Sequence, residues 1–389
     1  MHRNHRVNRA PALPIHYAFS QQELSEGNRA QLLPGGAIAF PAMLQAIAEA
    51  EVEVLLESYT LADDATGRAF LTALGEAAQR GVLVRLIVDG FGSLALPVQY
   101  LVELESRGAK TLVYRPVAPW RPHWGLFRRD HRKLLLVDGR VGFLGGLNLS
   151  DLYDARSEVG RSWRDLHLQL EGPSAQPLRH LFAATWNRHQ PSDRRLPEST
   201  SVPAHPSGIA VQVLGNREYH HRSLIRRSFL HAARMARRSI WIANPYFIPD
   251  RLLARTLARA ARHGVDVRIL VPLRSDVRVC DLAARATFGH LLAAGVRIAE
   301  WHEGMVHAKA AVVDRVWATL GSYNFDRRSL RYNLEVMANL FDAGLAAAIA
   351  EELTVIFDRS TEIDRHAFGR RPLRDRIASW LAYQLRAWL

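Results

Sequence analysis

Both halves of the chain show the same order of apolar and polar positions. In the first half, residues 52–56 and 82–88 are short apolar runs of β character, and residues 67–80 between them have the spacing of an amphipathic helix. The second half repeats this strand, helix and strand pattern at residues 239–243, 251–262 and 265–271. Strands that alternate with helices of this length predict an α/β fold, with a mixed sheet covered by helices in each half.

Two further apolar runs begin directly after a histidine. Residues 133–137 and 309–313 each start with a lysine and continue without a polar residue, as a strand buried on both faces does. His131 and His307 stand two positions before these runs. We therefore expect each histidine at the end of a strand, facing a cleft that the two halves share.

Length and composition indicate two globular domains. The chain has 389 residues, of which 48% are hydrophobic and 23% are charged, a composition typical of packed rather than disordered chains. A stretch rich in proline and serine marks the boundary. The predicted division is an N-terminal extension at 1–26, a first domain at 27–195, a linker at 196–206, a second domain at 207–369 and a C-terminal segment at 370–389.

The charge of the chain predicts an anionic partner. The formal net charge is +13, and both nucleic acid and anionic lipid would suit it. No run of eighteen or more uncharged apolar residues is present, so we expect neither a membrane-spanning helix nor an export signal. The single cysteine, Cys280, cannot form an intrachain disulfide, which fits a reducing compartment.

The basic residues contain an internal repeat. Of the 51 lysines and arginines only three are lysines, and two of these, Lys133 and Lys309, occupy equivalent places. Five residues recur 176 positions later: His131, Lys133, Asp138, Gly145 and Asn148 correspond to His307, Lys309, Asp314, Gly321 and Asn324. One active site built from two halves is the prediction. A compact ammonium group suits a phosphate oxygen.

These residue types are suited to phosphodiester exchange. One imidazole can attack phosphorus, while the other protonates the leaving oxygen and then activates the incoming alcohol. The two lysines would hold the phosphate oxygens, and the side chains of Asn148, Asn324 and Ser322 would add hydrogen bonds. This scheme requires no metal and no other cofactor.

Acidic residues are expected to support the histidines. Asp165 and Glu335 open the next apolar runs and are the candidates for orienting the imidazoles. Asp138 and Asp314, which we group with the catalytic motifs, stand at strand ends, where a carboxylate commonly ties a turn by hydrogen bonds.

Two tyrosines are further candidates for the cleft. Tyr59 and Tyr246 either line it or pack beneath it, because tyrosine is intermediate in burial. Gly145, Gly146 and Gly321 are expected where the backbone makes a close approach or a tight turn.

The doubled His-x-Lys-x4-Asp motif, followed by Gly-Gly or Gly-Ser and Asn, resembles that of the phospholipase D superfamily. The flanking stretches are similar to those of bacterial cardiolipin synthases of the short form without transmembrane helices: Glu57-Ser-Tyr59, Asp89-Gly-Phe-Gly-Ser93, Trp163-Arg-Asp165, Asn244-Pro-Tyr246-Phe-Ile-Pro249 and Asp326-Arg-Arg328-Ser329. The resemblance runs from about residue 27 to about residue 358. It implies two similar α/β sandwich domains, related by a pseudo-twofold axis, with the active site between them.

The resemblance also implies a function. It implies metal-independent phosphatidyl transfer between two phosphatidylglycerol molecules, giving cardiolipin and glycerol through a phosphohistidine, with His131 as nucleophile and His307 as acid and base. The protein would be peripheral, on the cytoplasmic face of the inner membrane, with an anionic phospholipid membrane as partner. One chain completes the site, so a monomer suffices.

Other functions remain open at this level. Water as acceptor would make the site a phospholipase D, another alcohol would make it a different phosphatidyltransferase, and relatives with the paired motif cleave nucleic acid. Nucleic acid is not the expected partner here, because the C-terminal segment and residues 115–130 combine tryptophan with arginine. A basic membrane protein with an inactive site is not favoured, since no motif position is lost.

The C-terminal segment predicts a basic amphipathic helix. Five apolar residues fall on one helical face: Ile377, Trp380, Leu381, Leu385 and Trp388. Such a helix can lie in a lipid interface. The alternative is a terminal helix docked on the core.

Overall fold

A computed structural model describes residues 14–117, 128–160, 163–197, 202–216 and 224–388. Residues 118–127, which are most of the stretch at 115–130 that combines tryptophan with arginine, lie outside the described residues, as do residues 198–201 of the predicted linker.

The first half contains eight strands and four α-helices among its described residues. The strands are β1 (Leu24–Pro34), β2 (Glu53–Ser58), β3 (Leu83–Asp89), β4 (Lys110–Tyr114), β5 (Lys133–Val137), β6 (Val141–Gly145), β7 (Trp163–Arg164) and β8 (Leu166–Glu171). The helices are α1 (Gly36–Ala48), α2 (Ala65–Gln79), α3 (Val98–Ser106) and α4 (Ala175–His189).

The second half repeats most of this order, with its short strand placed before the motif strand and one short helix added, and it then continues into a C-terminal portion. Its strands are β9 (Ile209–Gly215), β10 (Ser239–Ala243), β11 (Asp266–Pro272), β12 (Arg297–Trp301), β13 (Met305–Val306), β14 (Ala310–Val313), β15 (Trp317–Gly321), β16 (Val336–Phe341) and β17 (Thr361–Glu362). Its helices are α5 (Leu224–Met235), α6 (Arg251–Arg262), α7 (Arg278–Ala293), α8 (Arg327–Arg331), α9 (Ala343–Asp358), α10 (Arg365–Gly369) and α11 (Leu373–Gln384).

The strand order is the same in both halves. The first half runs β4-β3-β2-β5-β6-β8-β1, and the second runs β12-β11-β10-β14-β15-β16-β9 with β17 added outside β12. In each half the first three strands pair in parallel and the others pair antiparallel, which gives the predicted mixed sheet. Helices cover these sheets, so the predicted α/β architecture is confirmed.

The two sheets join edge to edge. Strands β1 and β9 pair antiparallel through Leu24 opposite Gln212, and fifteen of the seventeen described strands therefore form one sheet. The sequence predicted a sheet in each half and gave no sign of this junction. The predicted boundary after residue 26 falls inside β1.

The motif strands are buried on both faces. In β5, Leu134 and Leu136 enter a hydrophobic core shared by both halves, whereas Leu135 and Val137 pack into the outer core of the first half. This explains the continuous apolar run, because successive side chains point to opposite faces of a sheet. Removing a side chain such as Leu136, which is fully buried, would cost about 2–5 kcal/mol.

Local sequence sets the helix starts. Helix α6 has the predicted bounds, and the Asp250 side chain caps it by accepting from the Leu252 and Leu253 N–H groups. Helix α2 begins two residues before the predicted start, because Asp64 caps it at the Gly67 N–H.

The two ends of the described chain both pack on the second half. Tyr17 belongs to the outer core of the second half, and its hydroxyl donates to Asp314 at 2.7 Å. The predicted C-terminal helix is present as α11, which docks on α7 through a face that includes Ser379 and Ala382. Its apolar residues face solvent, with Trp380 57% exposed. Throughout the described chain, no helix combines the length and apolar character that crossing a bilayer requires.

Candidate active site

The two motif histidines lie just before the first residues of two equivalent central strands, β5 and β14. Strand β5 lies between β2 and β6, and β14 lies between β10 and β15. The His131 N–H donates to the Leu334 carbonyl at 3.0 Å, and the His307 N–H donates to the Arg164 carbonyl at 2.7 Å. Each motif is therefore hydrogen-bonded to a segment of the other half. The short parallel pair β7 and β13 extends this contact beside His307.

The orienting carboxylates are exchanged between the halves. His131 Nδ1 lies 3.1 Å from Glu335 Oε2, and His307 Nδ1 lies 2.7 Å from Asp165 Oδ2. A carboxylate at Nδ1 favours the tautomer whose proton is on Nδ1, which leaves Nε2 with its lone pair for chemistry. The sequence predicted both acids as orienting residues, but it did not predict that each contacts the histidine of the opposite half.

Glu335 is held by neighbouring polar side chains. The hydroxyls of Ser322 and Ser329 donate to its two oxygens at 2.5 and 2.7 Å, and the Asn333 amide donates at 3.3 Å. The Ser322 hydroxyl is thus committed to Glu335, whereas the sequence prediction assigned it to phosphate.

The Asp165 carboxylate contacts the backbone at two places, the Leu166 N–H and Gly146. The Leu166 N–H donates to its Oδ1 at 2.7 Å. A Cβ on Gly146 would overlap the Asp165 carboxylate, and one on Gly321 would overlap the Val336 carbonyl. The expectation of close approach at these glycines is confirmed, and its reason is the space that the opposing strand needs.

The two lysines are buried beside the histidines. Lys133 Nζ donates to the His131 carbonyl at 2.7 Å, and Lys309 Nζ donates to the His307 carbonyl at 2.5 Å. Burial lowers the pKa of Lys133 to about 7, helped by repulsion from Lys309, and burial lowers the pKa of Lys309 to about 8. The Lys309 charge contributes to the lowered pKa of Lys133, so the two ammonium groups lie near enough to interact.

Both imidazoles are neutral at neutral pH. Burial lowers the pKa of His131 to about 4, with the Lys133 charge acting in the same direction and Glu335 opposing it. Burial and Lys309 likewise lower the pKa of His307 to about 4, against Asp165. A phosphate anion between the lysines would offset their positive charge and raise both histidine pKa values.

The carboxylates remain charged. Burial is the largest single influence and raises the pKa of Glu335, but His131, Lys133 and the Ser322 hydroxyl together outweigh it, and the pKa is lowered. For Asp165, burial is likewise outweighed by His307, Lys309 and the Leu166 N–H together, and the pKa is lowered.

The two motif asparagines have different surroundings. Asn148 accepts from the Thr60 N–H at 3.2 Å and donates to the Tyr153 hydroxyl at 2.6 Å. Asn324 is buried, and its side-chain oxygen has no hydrogen-bond partner among the described residues.

The candidate tyrosines also differ. The Tyr59 ring lies edge-on to His131 with a centroid distance of 5.0 Å, and Lys133 Nζ lies 5.0 Å from the same ring. Burial raises the pKa of Tyr59 to about 12, so this hydroxyl stays protonated. Tyr246 donates its hydroxyl to Asp276.

Three site residues were missed by sequence reasoning. Tyr153 and Trp163 pack on His307 with centroid distances of 5.2 and 5.6 Å. The position 176 residues after Tyr153 is Ser329, so the repeat gave no signal for it. Trp163 stands in the flanking stretch with Asp165, which could have suggested it.

Arg132 is the third missed residue and braces the two halves. Its guanidinium contacts Glu57 at 3.3 Å, donates to the Asn216 carbonyl at 2.5 Å and lies 3.4 Å from the Glu335 carbonyl. The equivalent residue is Ala308, so this brace occurs in one copy only.

Asp138 and Asp314 lie at the far ends of the motif strands. The Asp138 carboxylate accepts from the N–H groups of residues 51, 52 and 53, and Asp314 accepts from those of residues 237, 238 and 239. Both have a positive φ, 52° and 53°. These contacts tie the start of the neighbouring strand, as the turn-tying expectation described. Within the described residues, no group of three or more His, Cys, Asp or Glu side chains is placed to hold a metal ion.

Two equivalent α/β halves, with a paired His-x-Lys site between them, define the phospholipase D class of proteins. The family model described as "Cardiolipin synthase, PLD-like domain" matches residues 43–168 and 229–360. The chain belongs to this family.

Curated relatives support this family, and solved structures of low sequence identity support the fold. The cardiolipin synthase of Geobacillus kaustophilus is 34% identical over 372 residues, which cover 95% of this chain and 74% of the relative. Cardiolipin synthase 2 of Bacillus anthracis is 32% identical over 375 residues, covering 95% and 71%. Phosphatidylserine synthase of Haemophilus influenzae has the same fold, with a TM-score of 0.69 at 13% identity over 95% of this chain and 94% of that one. Polyphosphate kinase of Porphyromonas gingivalis gives a TM-score of 0.57 at 14% identity, covering 92% and 53%.

Proposed function

We propose that the chain is a cardiolipin synthase, a phosphatidyltransferase that converts two phosphatidylglycerol molecules into cardiolipin and glycerol. The observation that best supports this proposal is the pair of neutral imidazoles. Each is oriented through Nδ1 by a carboxylate of the opposite half, and each lies beside a buried lysine. Such a pair supplies both a nucleophile and an acid-base group.

The first step forms a phosphohistidine. His131 Nε2 attacks the phosphorus of one phosphatidylglycerol, and the bond from phosphorus to the glycerol oxygen breaks. His307, protonated once the phosphate anion is bound, gives its Nε2 proton to that oxygen, and glycerol leaves. Lys133 and Lys309 hold the phosphate oxygens, with hydrogen bonds from Asn148 and Asn324.

The second step reverses the proton transfer. Neutral His307 takes the proton of a hydroxyl on the second phosphatidylglycerol, and that oxygen attacks the phosphorus. The bond between phosphorus and His131 breaks, which gives cardiolipin and restores both imidazoles. The assignment of His131 as nucleophile rests on family resemblance. Asp138 and Asp314 support the strands and take no part in these steps.

A membrane surface is the proposed partner, at the cytoplasmic face of the inner membrane. Equivalent segments expose apolar side chains in both halves: Phe91, Leu94 and Val98 between β3 and the start of α3, and Leu273 and Val277 between β11 and α7. Helix α11 adds the exposed Trp380 and Leu381. Exposed apolar side chains on a chain whose formal net charge is +13 suit an anionic lipid interface. One chain supplies both motifs, so a monomer is sufficient.

The test is turnover of phosphatidylglycerol vesicles by purified protein in the presence of a metal chelator. Glycerol release and product lipids are followed by chromatography, with His131→Ala and His307→Ala as matched controls. We expect glycerol and a four-chain lipid from the wild type alone. Phosphatidic acid as the product would identify a phospholipase D, and cleavage of DNA without lipid turnover would reject the proposal.

A further inference from the structure

A groove in the second half lies outside the paired His-x-Lys motifs. Its volume is about 920 Å³, and none of the motif histidines, lysines or asparagines lines it. The start of α6, helix α8, part of α5 and the end of the C-terminal segment form its walls. We call it the α8 groove. Its lining includes six arginines: Arg226, Arg227, Arg251, Arg327, Arg331 and Arg386.

The acidic residues of the α8 groove do not balance these arginines. Asp250 caps α6 and pairs with Arg226 at 2.8 Å. Asp326 caps α8 through the Ser329 N–H at 2.7 Å, and burial raises its pKa to about 6. Both carboxylates are thus already hydrogen-bonded within the protein. The groove keeps an excess of positive charge, which favours an anionic ligand.

Three of the arginines are placed to meet such a ligand. Arg251 begins α6, and Arg327 and Arg331 lie one turn apart on α8. Among the described residues none of the three forms an ion pair. Arginine presents several N–H donors in a plane and binds phosphate oxygens with two hydrogen bonds at once.

Apolar surface adjoins this charge. Leu252, Leu330 and Tyr383 also line the groove, and the Arg386 guanidinium lies 4.2 Å from the Tyr383 ring centroid. Directly beyond Arg386 the chain exposes Trp388, which is 60% exposed. A free phosphate or a nucleic-acid backbone would leave this apolar surface in water, whereas the acyl chains of a lipid would cover it.

We propose that the α8 groove binds the phosphate-bearing headgroup of an anionic phospholipid, as a second lipid site outside the active site. The proposal rests on the proposed function for the lipid nature of the ligand, and on the groove's own charge and apolar rim for its position. The bound lipid would hold the second half against the membrane while substrate passes through the active site.

The test compares two triple variants of equal charge, both in the His131→Ala background so that no lipid is consumed. The groove variant is Arg251→Gln with Arg327→Gln and Arg331→Gln. The control is Arg255→Gln with Arg259→Gln and Arg262→Gln, three exposed arginines of α6 that do not line the groove. Sedimentation measures binding to phosphatidylcholine vesicles with and without phosphatidylglycerol.

We expect the groove variant to lose about tenfold or more in apparent affinity for the anionic vesicles, and the control to lose less than about threefold. Equal losses in the two variants would show a general charge effect and overturn the proposal. Protection of the protein against thermal unfolding by inorganic phosphate, as strong as that by dioctanoyl phosphatidylglycerol and lost in the groove variant, would show a plain anion site and also overturn it.

A measurement of phosphatidylglycerol turnover tests the proposed function separately from the proposed lipid site. In the wild-type background, the groove variant should still release glycerol from dispersed dioctanoyl phosphatidylglycerol, which shows an intact active site. If the wild type releases no glycerol but the groove variant alone loses vesicle binding, the proposed function is wrong and the lipid site stands. If the wild type is active and the groove variant binds vesicles like the control, the lipid site alone is wrong.

Discussion

Each motif histidine contacts a carboxylate that is far from it in sequence. Glu335 orients His131 across 204 positions, and Asp165 orients His307 across 142. The pairing also makes the two histidines distinguishable, because Glu335 is supported by serine hydroxyls and Asp165 by a backbone N–H. A defect in one carboxylate should therefore appear in one chemical step.

The exchanged carboxylates predict which step each variant loses. Glu335→Gln should lower formation of the phosphohistidine by about 10²- to 10⁴-fold, because the amide no longer stabilises the correct His131 tautomer. Asp165→Asn acts through His307, the proposed acid and base, and should leave some phosphoenzyme that turns over slowly. Trapping with ³²P-labelled phosphatidylglycerol distinguishes them. The opposite pattern would mean that His307 is the nucleophile.

The lowered pKa values of the two lysines predict how kcat/KM falls at alkaline pH. The pKa of Lys133 is lowered to about 7, so its charge is lost first as the pH rises, and kcat/KM should fall above pH 7. Lys133→Arg keeps the charge, because guanidinium does not deprotonate, and should move that fall upward towards the pKa of Lys309, about 8.

The same substitution also tests why lysine stands there. Turnover by Lys133→Arg should be at least about tenfold lower at pH 6.5, since the larger planar group does not fit the ammonium site. Lys110→Arg, at the start of β4, is the matched control. Near-normal turnover in both Lys133→Arg and Lys309→Arg would show that charge alone is needed.

At the scale of elements, α11 combines the two alternatives that its sequence left open. It docks on α7, as a terminal helix does, yet its large apolar side chains face solvent because the docked face carries the small residues Ser379 and Ala382. The helix is held in place by the protein and exposes a row of apolar residues for another surface.

Substitutions on this row should separate membrane binding from folding. Trp380→Ser with Leu381→Ser removes apolar area that is already in water, so the free energy of unfolding should change by less than about 0.5 kcal/mol. Binding to anionic vesicles should weaken about tenfold or more, because each buried side chain of this size contributes about 1.5–3 kcal/mol.

Val355→Ser, at a 58% exposed position of α9, is the control for this change. Unchanged sedimentation of the double variant with liposomes would remove α11 from the membrane-binding surface.

At the scale of the whole molecule, the two halves are locked together by more than the shared site. A hydrophobic core contains residues of both, β1 pairs with β9, and the segment before β1 packs on the second half. Arg132 adds a buried brace beside the active site, where its guanidinium is paired with Glu57. The site therefore exists only when both halves are folded and joined.

Arg132→Met should reveal the strength of this brace. Its removal leaves the buried Glu57 carboxylate without a counter-charge, and we expect a loss of about 3–5 kcal/mol in the free energy of unfolding. Arg297→Met removes an ion pair whose side chains are 43% and 42% exposed, and should cost about 1 kcal/mol or less. Urea unfolding measures both, and equal losses would show that the brace is not important for stability.

Much of the fold was readable from the sequence because its signals are local. The apolar runs gave β2, β3, β10 and β11 to within two residues, and the 176-residue register gave the paired site. The joined sheet was not readable, because strand pairing between β1 and β9 depends on edges that have no period of their own. Tyr153 and Arg132 were missed because neither is repeated at the corresponding position.

The sequence by itself determined the chemistry of this protein: two histidines, two lysines and two acids, in an order that predicts phosphodiester exchange. Only the tertiary structure decided which acid serves which histidine and that six arginines meet in one groove. The physical reason is distance along the chain. Residue type and periodicity are local properties, whereas hydrogen bonds and charge clusters join side chains more than a hundred positions apart.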